Sequence, residues 1–473
     1  MADLSCDVAI IGAGTAGLAA ERTARKAGAK TLLIDDRFAG TTCASVGCMP
    51  SKLLIAAADA AHGVRRASTF GILASKLNVD GCAVMRRLRK ERDGFVAATL
   101  KSIGKIPAGI CVRQRAQFAD RTALTLDDRR KVSAKAIVIA AGARPSVPKP
   151  FDCLGDVVLT NETIFELASL PRSVAVIGAG PLGLELAQAL ARLGVETAVF
   201  EQSGHLAALR DADVAGELRS VLGREFPIHL GVKLDAEKNG PGASLSWSGA
   251  STGAASFERI LVAAGRPPAL HDLNLAATGV ATNERGVPKF DPSTLQCGDV
   301  PIFLAGDVDA QRPVLHEASS EGAIAGRNAA SFPNVRKNKR AVPLSIMFTD
   351  PPLATVGSPP SDTTLVGSAS YADQGRARIE ARNAGLVRIY ADHKNGVLTG
   401  TTLFAPGMDI AHLFAWAIER SETAAAVLAL PFYHPTFEEG LKPALRQICQ
   451  AVHAPELEHL DDVAPPGPDR RVQ

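Results

Sequence analysis

Two stretches of the chain share one hydrophobic pattern. In DVAIIGAGTAGLAAE (7–21) an unbroken apolar run, Val8 to Ile11, enters a glycine-rich turn and continues into alanine- and leucine-rich sequence; in SVAVIGAGPLGLELA (173–187) the same order recurs. An apolar run without polar alternation predicts a buried strand, and the continuation predicts a packed helix. A second strand follows each copy, TLLIDD after the first and ETAVFE after the second. Each of these ends on an acid, Asp35 eighteen residues past Gly17 and Glu201 eighteen residues past Gly183.

The glycines fall as GxGxxG in both copies: Gly12, Gly14 and Gly17, then Gly178, Gly180 and Gly183. That spacing allows a tight turn, close approach of a pyrophosphate to backbone, and close helix–strand packing. The strand-end acid accepts hydrogen bonds from ribose hydroxyls. One such motif is weak evidence. Strand, fingerprint, helix, strand and acid, all repeated, predict two adenine dinucleotide sites in one α/β chain.

Composition narrows the class. A chain of 473 residues predicts two to four domains, and 46% apolar residues suit a well-packed protein. A net charge of +3 predicts neither a nucleic-acid footprint nor attraction to membranes. No secretory signal is visible, since the only early apolar run gives way to glycines, and no window reaches membrane-span length; a cytoplasmic location is expected. The polar, proline-containing end from Pro455 to Gln473 is expected to be loosely held.

Eight cysteines are too few for a disulfide scaffold. Six (Cys6, Cys82, Cys111, Cys153, Cys297, Cys449) are scattered and read as small buried hydrophobes. Cys43 and Cys48 lie close together in TTCASVGCMPSK (41–52), with no second pair or spaced histidines nearby for zinc. In a straight helix, residues five apart rise by about 7.5 Å, beyond the roughly 7 Å limit for a disulfide. A bridge therefore needs a bent backbone, which Gly47 and Pro50 permit. Pro50 also suits a first helical turn, which places Cys48 near a helix N-terminus, where the dipole favours thiolate. Nicotinamide delivers hydride, flavin accepts two electrons and a disulfide accepts two electrons. A relay from NAD through FAD to the cysteine pair accounts for all three features.

The chain resembles the pyridine nucleotide–disulfide oxidoreductases over nearly its whole length. Besides the fingerprints and the CxxxxC segment, IVIAAGARP (137–145), ILVAAGRPP (260–268), IFLAGDV (302–308), FTDPPLATVG (348–357) and HPTFEE (434–439) occur in the family's order. The resemblance implies two Rossmann-like dinucleotide-binding domains plus a C-terminal α+β dimerisation domain. FAD would be bound by 1–148 and 271–341, NAD by 149–270, and the interface domain would be 342–473. Cys43 is similar to the interchange thiol that attacks substrate, and Cys48 to the thiol beside the flavin that forms a charge-transfer complex. Lys52 matches a lysine near the flavin that pairs with Glu185. Asp307 matches the aspartate that holds the ribityl chain, and Thr42, Gly142 and Gly265 match cofactor-binding positions. His434 and Glu439 match an acid–base histidine and the carboxylate that orients it. That chemistry suits thiol–disulfide exchange, which needs a base near pH 7. In the family the histidine serves the other subunit's cysteines, which implies a C2 homodimer.

Three positions depart from the pattern: Thr41 and Pro181 replace a glycine and a tyrosine, and Phe437-Glu438 replaces small residues after HPT. Pro181 is expected to open the nicotinamide face and Phe437 to reshape the disulfide pocket. The resemblance is greatest to dihydrolipoamide dehydrogenase, with free or domain-borne lipoamide as substrate. A mercuric reductase would need a C-terminal cysteine pair, whereas Cys449 stands alone. An NADPH-dependent glutathione reductase would need arginines where EQSGHLAALR begins with Glu201, which repels a 2′-phosphate. The alternatives are an NADH-dependent reductase of another small disulfide, a flavin transhydrogenase, which Cys43 argues against, and a non-catalytic redox-sensing flavoprotein.

Overall fold

The computed structural model describes residues 3–74 and 77–454; the terminal stretch expected to be loose lies outside them. The chain divides into two compact units, Met1–Ala208 with Leu222–Ala341, and Leu209–Val221 with Val342–Gln473.

In chain order the elements before residue 342 begin with β1 (Leu4–Ile11), α1 (Thr15–Lys26), β2 (Thr31–Ile34), α2 (Thr42–Ser45), α3 (Cys48–Arg66), α4 (Gly81–Ile103), β3 (Cys111–Val112), β4 (Ala116–Phe118), β5 (Ala123–Leu126) and β6 (Lys131–Ile139). There follow β7 (Val158–Leu159), β8 (Ser173–Ile177), α5 (Pro181–Arg192), β9 (Glu196–Glu201), α6 (Ala212–Leu222), β10 (Ile228–Leu230), β11 (Val232–Asn239), β12 (Gly242–Gly249), β13 (Gly253–Phe257), β14 (Arg259–Val262), β15 (Ile302–Leu304) and α7 (Leu315–Ser331). Of these, α6 alone falls in the second unit, up to Val221. One sheet has the order β3-β2-β1-β6-β5-β4, with β15 pairing β6. Its core strands β2, β1, β6 and β15 are parallel. A second sheet, β10-β9-β8-β14-β7, is parallel throughout. Each fingerprint thus joins a central parallel strand to a helix, the Rossmann arrangement.

Burial explains the unbroken apolar runs. Val8 and Ile10 face a core with Ala16 and Ala20 of α1 and Ala325 of α7. Ala9 and Ile11 face the opposite core, with Phe118 and Leu124. Successive side chains point to opposite faces, and both faces are covered. The second sheet is covered on one side by the antiparallel ribbon β11-β12-β13, where Ala175 and Ile177 pack with Leu245 and Phe257.

Helices α1 and α7 touch backbone to backbone. A Cβ on Gly322 would lie 2.1 Å from the Ala16 carbonyl oxygen, and one on Gly326 would lie 2.3 Å from that of Ala20. This contact holds the first fingerprint helix against the segment that follows β15.

The second unit is α+β. Its antiparallel sheet β16-β17-β20-β19-β18 comprises β16 (Leu344–Met347), β17 (Leu353–Gly357), β18 (Thr364–Ser370), β19 (Leu386–Asp392) and β20 (Leu398–Phe404). Helices α8 (Gly375–Ile379), α9 (His412–Glu419), α10 (Ala424–Leu428) and α11 (Lys442–Ala451) accompany it, and Ile389, Leu403, Phe414 and Leu445 share its core. Among the described residues, no helix is long and apolar enough to cross a membrane.

The reading of six scattered cysteines as buried is corrected. Only Cys6 and Cys297 are buried; Cys82, Cys111 and Cys153 are exposed and Cys449 is intermediate. Cys82 sits in the first turn of α4 and Cys111 on the edge strand β3, positions that leave one side in water.

Candidate active site

The two fingerprint loops have the same geometry. Gly12 (φ 102°) and Gly178 (φ 111°) adopt a conformation that side chains avoid, and a Cβ there would lie 2.4 Å from Ala140 O and 2.5 Å from Ala263 O. On Gly17 and Gly183, a Cβ would strike the carbonyls of Gly12 and Gly178. These four glycines answer to the protein's own packing. Gly14 and Gly180 do not: a Cβ on either would meet nothing within 4 Å. Each precedes a helix N-terminus without a side-chain cap, α1 and α5 respectively. Open space against uncapped backbone N–H groups fits a pyrophosphate, so both loops fit a dinucleotide.

The strand-end acids are placed alike. Asp35 accepts from the N–H of Ala13 at 2.9 Å through one oxygen and from Arg37 and Phe38 through the other. Glu201 accepts from Ala179 at 3.0 Å and Ser203 at 2.8 Å. Asp35 and Gly12 line a cleft of about 510 Å³. Asp307 follows β15 and accepts from Arg266 at 3.1 Å; Arg266 also donates to the carbonyl of Ala143, the residue after Gly142.

A second cleft, of about 910 Å³, gathers most of the remaining candidates. Thr42, Cys48 and Lys52 line it on one side, and Gly178, Gly180, Glu185, Glu201 and Gly265 on the other. Lys52 of α3 and Glu185 of α5 form an ion pair at 2.7 Å, and Glu185 is buried.

Cys43 lies within α2 and Cys48 opens α3, with the chain bent between them at Gly47. A Cβ on Gly47 would lie 2.9 Å from the Thr42 carbonyl oxygen, so the bend requires glycine. The two thiols are electrically unequal. A hydrogen bond from Cys43 pulls the Cys48 thiol down to about 6; the Lys52 ammonium adds to this and burial opposes it. Cys43 moves the other way, raised by giving that hydrogen bond and by burial. The difference favours the thiolate at Cys48 and the thiol at Cys43.

In the second unit, His434 Nδ1 lies 3.2 and 3.1 Å from the two carboxylate oxygens of Glu439. The imidazole is 82% exposed and the carboxylate 21%. A carboxylate at Nδ1 favours the tautomer protonated there, which leaves Nε2 free to take a proton.

Other residues shape the site that were not among the sequence candidates. The loop between the cysteines is held from outside: Asn161 donates to the Val46 carbonyl at 3.0 Å and Arg92 to that of Ser45 at 3.4 Å. Both are buried, yet each stands among polar neighbours in sequence, Arg92 in RRLRKERD (86–93) and Asn161 in TNET (160–163), so nothing local marks them. Arg266 stands in ILVAAGRPP but its ion pair with Asp307 spans 41 residues.

The departures from the family pattern have local explanations. Thr41 caps α2, its hydroxyl accepting from the Ala44 N–H at 3.4 Å. Pro181 takes the first position of α5, where no N–H is needed, and lines the second cleft. Phe437 packs partly buried against the core of the second unit, with its ring over Gly407.

Comparisons with known proteins follow the same lines. Residues 6–323 match the family described as pyridine nucleotide-disulphide oxidoreductase, and 343–445 match its dimerisation domain. The chain is 29% identical over 471 residues to dihydrolipoyl dehydrogenase of Halobacterium salinarum, covering 94% of this chain and 97% of that one. It is 30% identical over 471 residues to mercuric reductase of Streptomyces lividans, with the same coverage. Among solved structures it is similar to the Cu(II) complex of the HOCl-induced flavoprotein disulfide reductase RclA from Escherichia coli. The TM-score is 0.80 at 22% identity, covering 93% of this chain and 99% of that one.

Proposed function

Since this chain belongs to the pyridine nucleotide-disulphide oxidoreductases, flavoproteins that use FAD and NAD(P), we propose that it moves electrons between NAD(H) and a dithiol/disulfide through Cys43 and Cys48, with dihydrolipoamide as the substrate. The observation that carries the reading is the second cleft, where the Cys48 thiolate and the Lys52–Glu185 pair face the second fingerprint. FAD would be held by 1–148 and 271–341, through the Gly12–Gly17 loop, Asp35 and Asp307. NAD would be held by 149–270, through the Gly178–Gly183 loop, and Glu201 would favour it over a 2′-phosphorylated cofactor. The dimerisation-domain match supports a homodimer, with 342–473 as the interface domain.

FAD, when bound, supplies the two-electron link between nicotinamide and the cysteine pair. The rest is the work of the chain's own groups. A disulfide substrate needs a thiolate attacker, and Cys43 is the thiol that holds its proton. In the homodimer His434, steadied by Glu439, would remove it from the cysteine of the other subunit. The Cys43 sulfur attacks one substrate sulfur and forms a mixed disulfide; the released thiolate takes the proton from His434. The Cys48 thiolate then attacks the Cys43 sulfur, the second substrate thiolate departs and is protonated, and the Cys43–Cys48 disulfide remains. Two electrons have passed from the dithiol to the substrate. Oxidation of dihydrolipoamide is the same sequence reversed. Lys52 holds positive charge beside Cys48 throughout.

Dihydrolipoamide is favoured by the dihydrolipoyl dehydrogenase relatives. Cys449 without a following cysteine weighs against the mercuric reductase likeness. Steady-state assays with NADH and lipoamide, glutathione disulfide and dithiodi-acids test the reading. Lipoamide should turn over fastest and Cys43→Ser should abolish turnover. Failure to reduce any disulfide would refute the catalytic reading, and a clear preference for another disulfide would refute lipoamide.

A further inference from the structure

We propose that Tyr371 and Gln374 are positioning residues for His434, acting through the backbone of the segment that carries it. This rests on the acid–base reading of His434 given above. Tyr433, His434 and Pro435 are all exposed, and no helix or strand includes them. The shape of the segment is imposed from beneath. Tyr371, just past β18 and 0% exposed, donates its hydroxyl to the Phe437 carbonyl at 2.8 Å. Gln374 donates Nε2–H to the Thr436 carbonyl at 2.7 Å. Its own Oε1 is fixed by accepting the Ala377 N–H at 2.7 Å in the first turn of α8. Two consecutive carbonyls between His434 and Glu439 are therefore pinned, while the N–H of Thr436 turns to Glu439 at 3.1 Å.

The surroundings are fitted to this arrangement. A Cβ on Gly440 would lie 2.6 Å from the Tyr371 ring, so glycine there makes room for the tyrosine. A Cβ on Gly407 would lie 3.1 Å from the Phe437 ring, and the Arg382 guanidinium sits 5.9 Å from its centroid. Asp350 holds Arg382 at 2.7 Å. Burial lifts the Tyr371 phenol above its usual range, so it remains a donor at working pH. Two donors meet two consecutive peptide carbonyls, and the Phe437 ring beside them is packed from Gly407 and Arg382. A proton-transferring imidazole needs this support, since a small misplacement from a reacting sulfur costs rate.

The test measures two half-reactions on FAD-loaded protein: flavin reduction by NADH, and reoxidation of the reduced enzyme by lipoamide. Tyr371→Phe keeps the ring and removes the donor. It should slow reoxidation about 2–10-fold, the usual range for one hydrogen bond, and leave flavin reduction unchanged. In a His434→Ala background it should cost nothing further, because it acts through the imidazole. Gln374→Glu, which keeps the α8 cap but loses the donor, should follow the same pattern if Tyr371→Phe folds poorly. Unchanged reoxidation in both variants would overturn the proposal. So would equal slowing of both half-reactions, or the same loss with and without His434. A wild-type protein reduced by NADH that passes no electrons to any disulfide would instead remove the reading of His434 itself, and the positioning role with it.

Discussion

Replacing Cys43 with alanine removes the hydrogen bond that does most to hold the Cys48 thiol down at about 6, against 9.0 for an ordinary cysteine. At pH 7 a thiol titrating near 6 is about 90% thiolate, and one titrating near 9 is about 1%. Burial, Lys52 and the start of α3 remain in the variant, so its midpoint should rise to at least about one unit above wild type. The band from a thiolate beside the flavin reports the fraction directly. Two-electron-reduced wild type and the oxidised variant are titrated from about pH 4.5 to 9.5. The wild-type band should be full above pH 7 and be lost as pH falls through about 6. The variant should keep less than half its plateau at pH 7, since a midpoint at or above about 7 leaves at most half the thiol ionised. Cys48→Ser should remove the band. A variant midpoint within a few tenths of wild type would refute the claim that Cys43 sets the acidity of its partner, and a band surviving Cys48→Ser would refute the assignment of the thiolate.

Gly12→Ala should lower the Tm of the cofactor-free protein by several degrees, because the Cβ would lie 2.4 Å from a carbonyl oxygen at φ 102°. Gly14→Ala should leave that Tm nearly unchanged and lower the FAD-to-chain ratio; equal behaviour of the two variants would contradict the division between packing and ligand glycines. NADH should be preferred to NADPH through Glu201, and equal kcat/KM values would sink that claim. His434→Ala should slow the disulfide half-reaction by about 10²–10⁴-fold while flavin reduction stays nearly intact, and Glu439→Gln should cost less. Mixing His434→Ala chains with Cys43→Ser chains should restore part of the activity, and mixed dimers that regain nothing would exclude a histidine shared across the interface.

The parallel strands, both fingerprints, the strand-end acids and the bend between the cysteines could all be read from the sequence because each is local. An apolar run of four and three glycines at fixed spacing state their geometry within about fifteen residues. The ion pair of Lys52 with Glu185 spans 133 residues and was legible only through the family resemblance. What escaped were contacts whose partners share no pattern. Asn161 reaches the loop at Val46 across 115 residues, and Tyr371 reaches Phe437 across 66. Nothing near Tyr371 in sequence distinguishes it from an ordinary core tyrosine. The misreading of Cys82 and Cys111 has the same origin, since an isolated cysteine carries no sign of whether its face of a helix or strand is covered. The packing of Phe437 over Gly407 likewise had no sign in the sequence. Gly322 and Gly326 did offer a signal, two glycines four apart on a helix, matched by Ala16 and Ala20 at the same interval.

That last contact bears on how the protein is made. Helix α1 leaves the ribosome about 300 residues before α7, whose surface it packs on. At roughly 5–20 residues per second, α1 and its glycine loop wait about 15–60 s for their partner. Until then the small side chains along α1 are open to solvent and to other nascent chains. The second parallel sheet needs only strands from β7 to β14, residues 158–262, and it can close while the first still waits. Synthesis thus completes the strands of the second repeat's sheet before those of the first. A chain stalled before Gly322 should carry a finished second sheet beside an unfinished first.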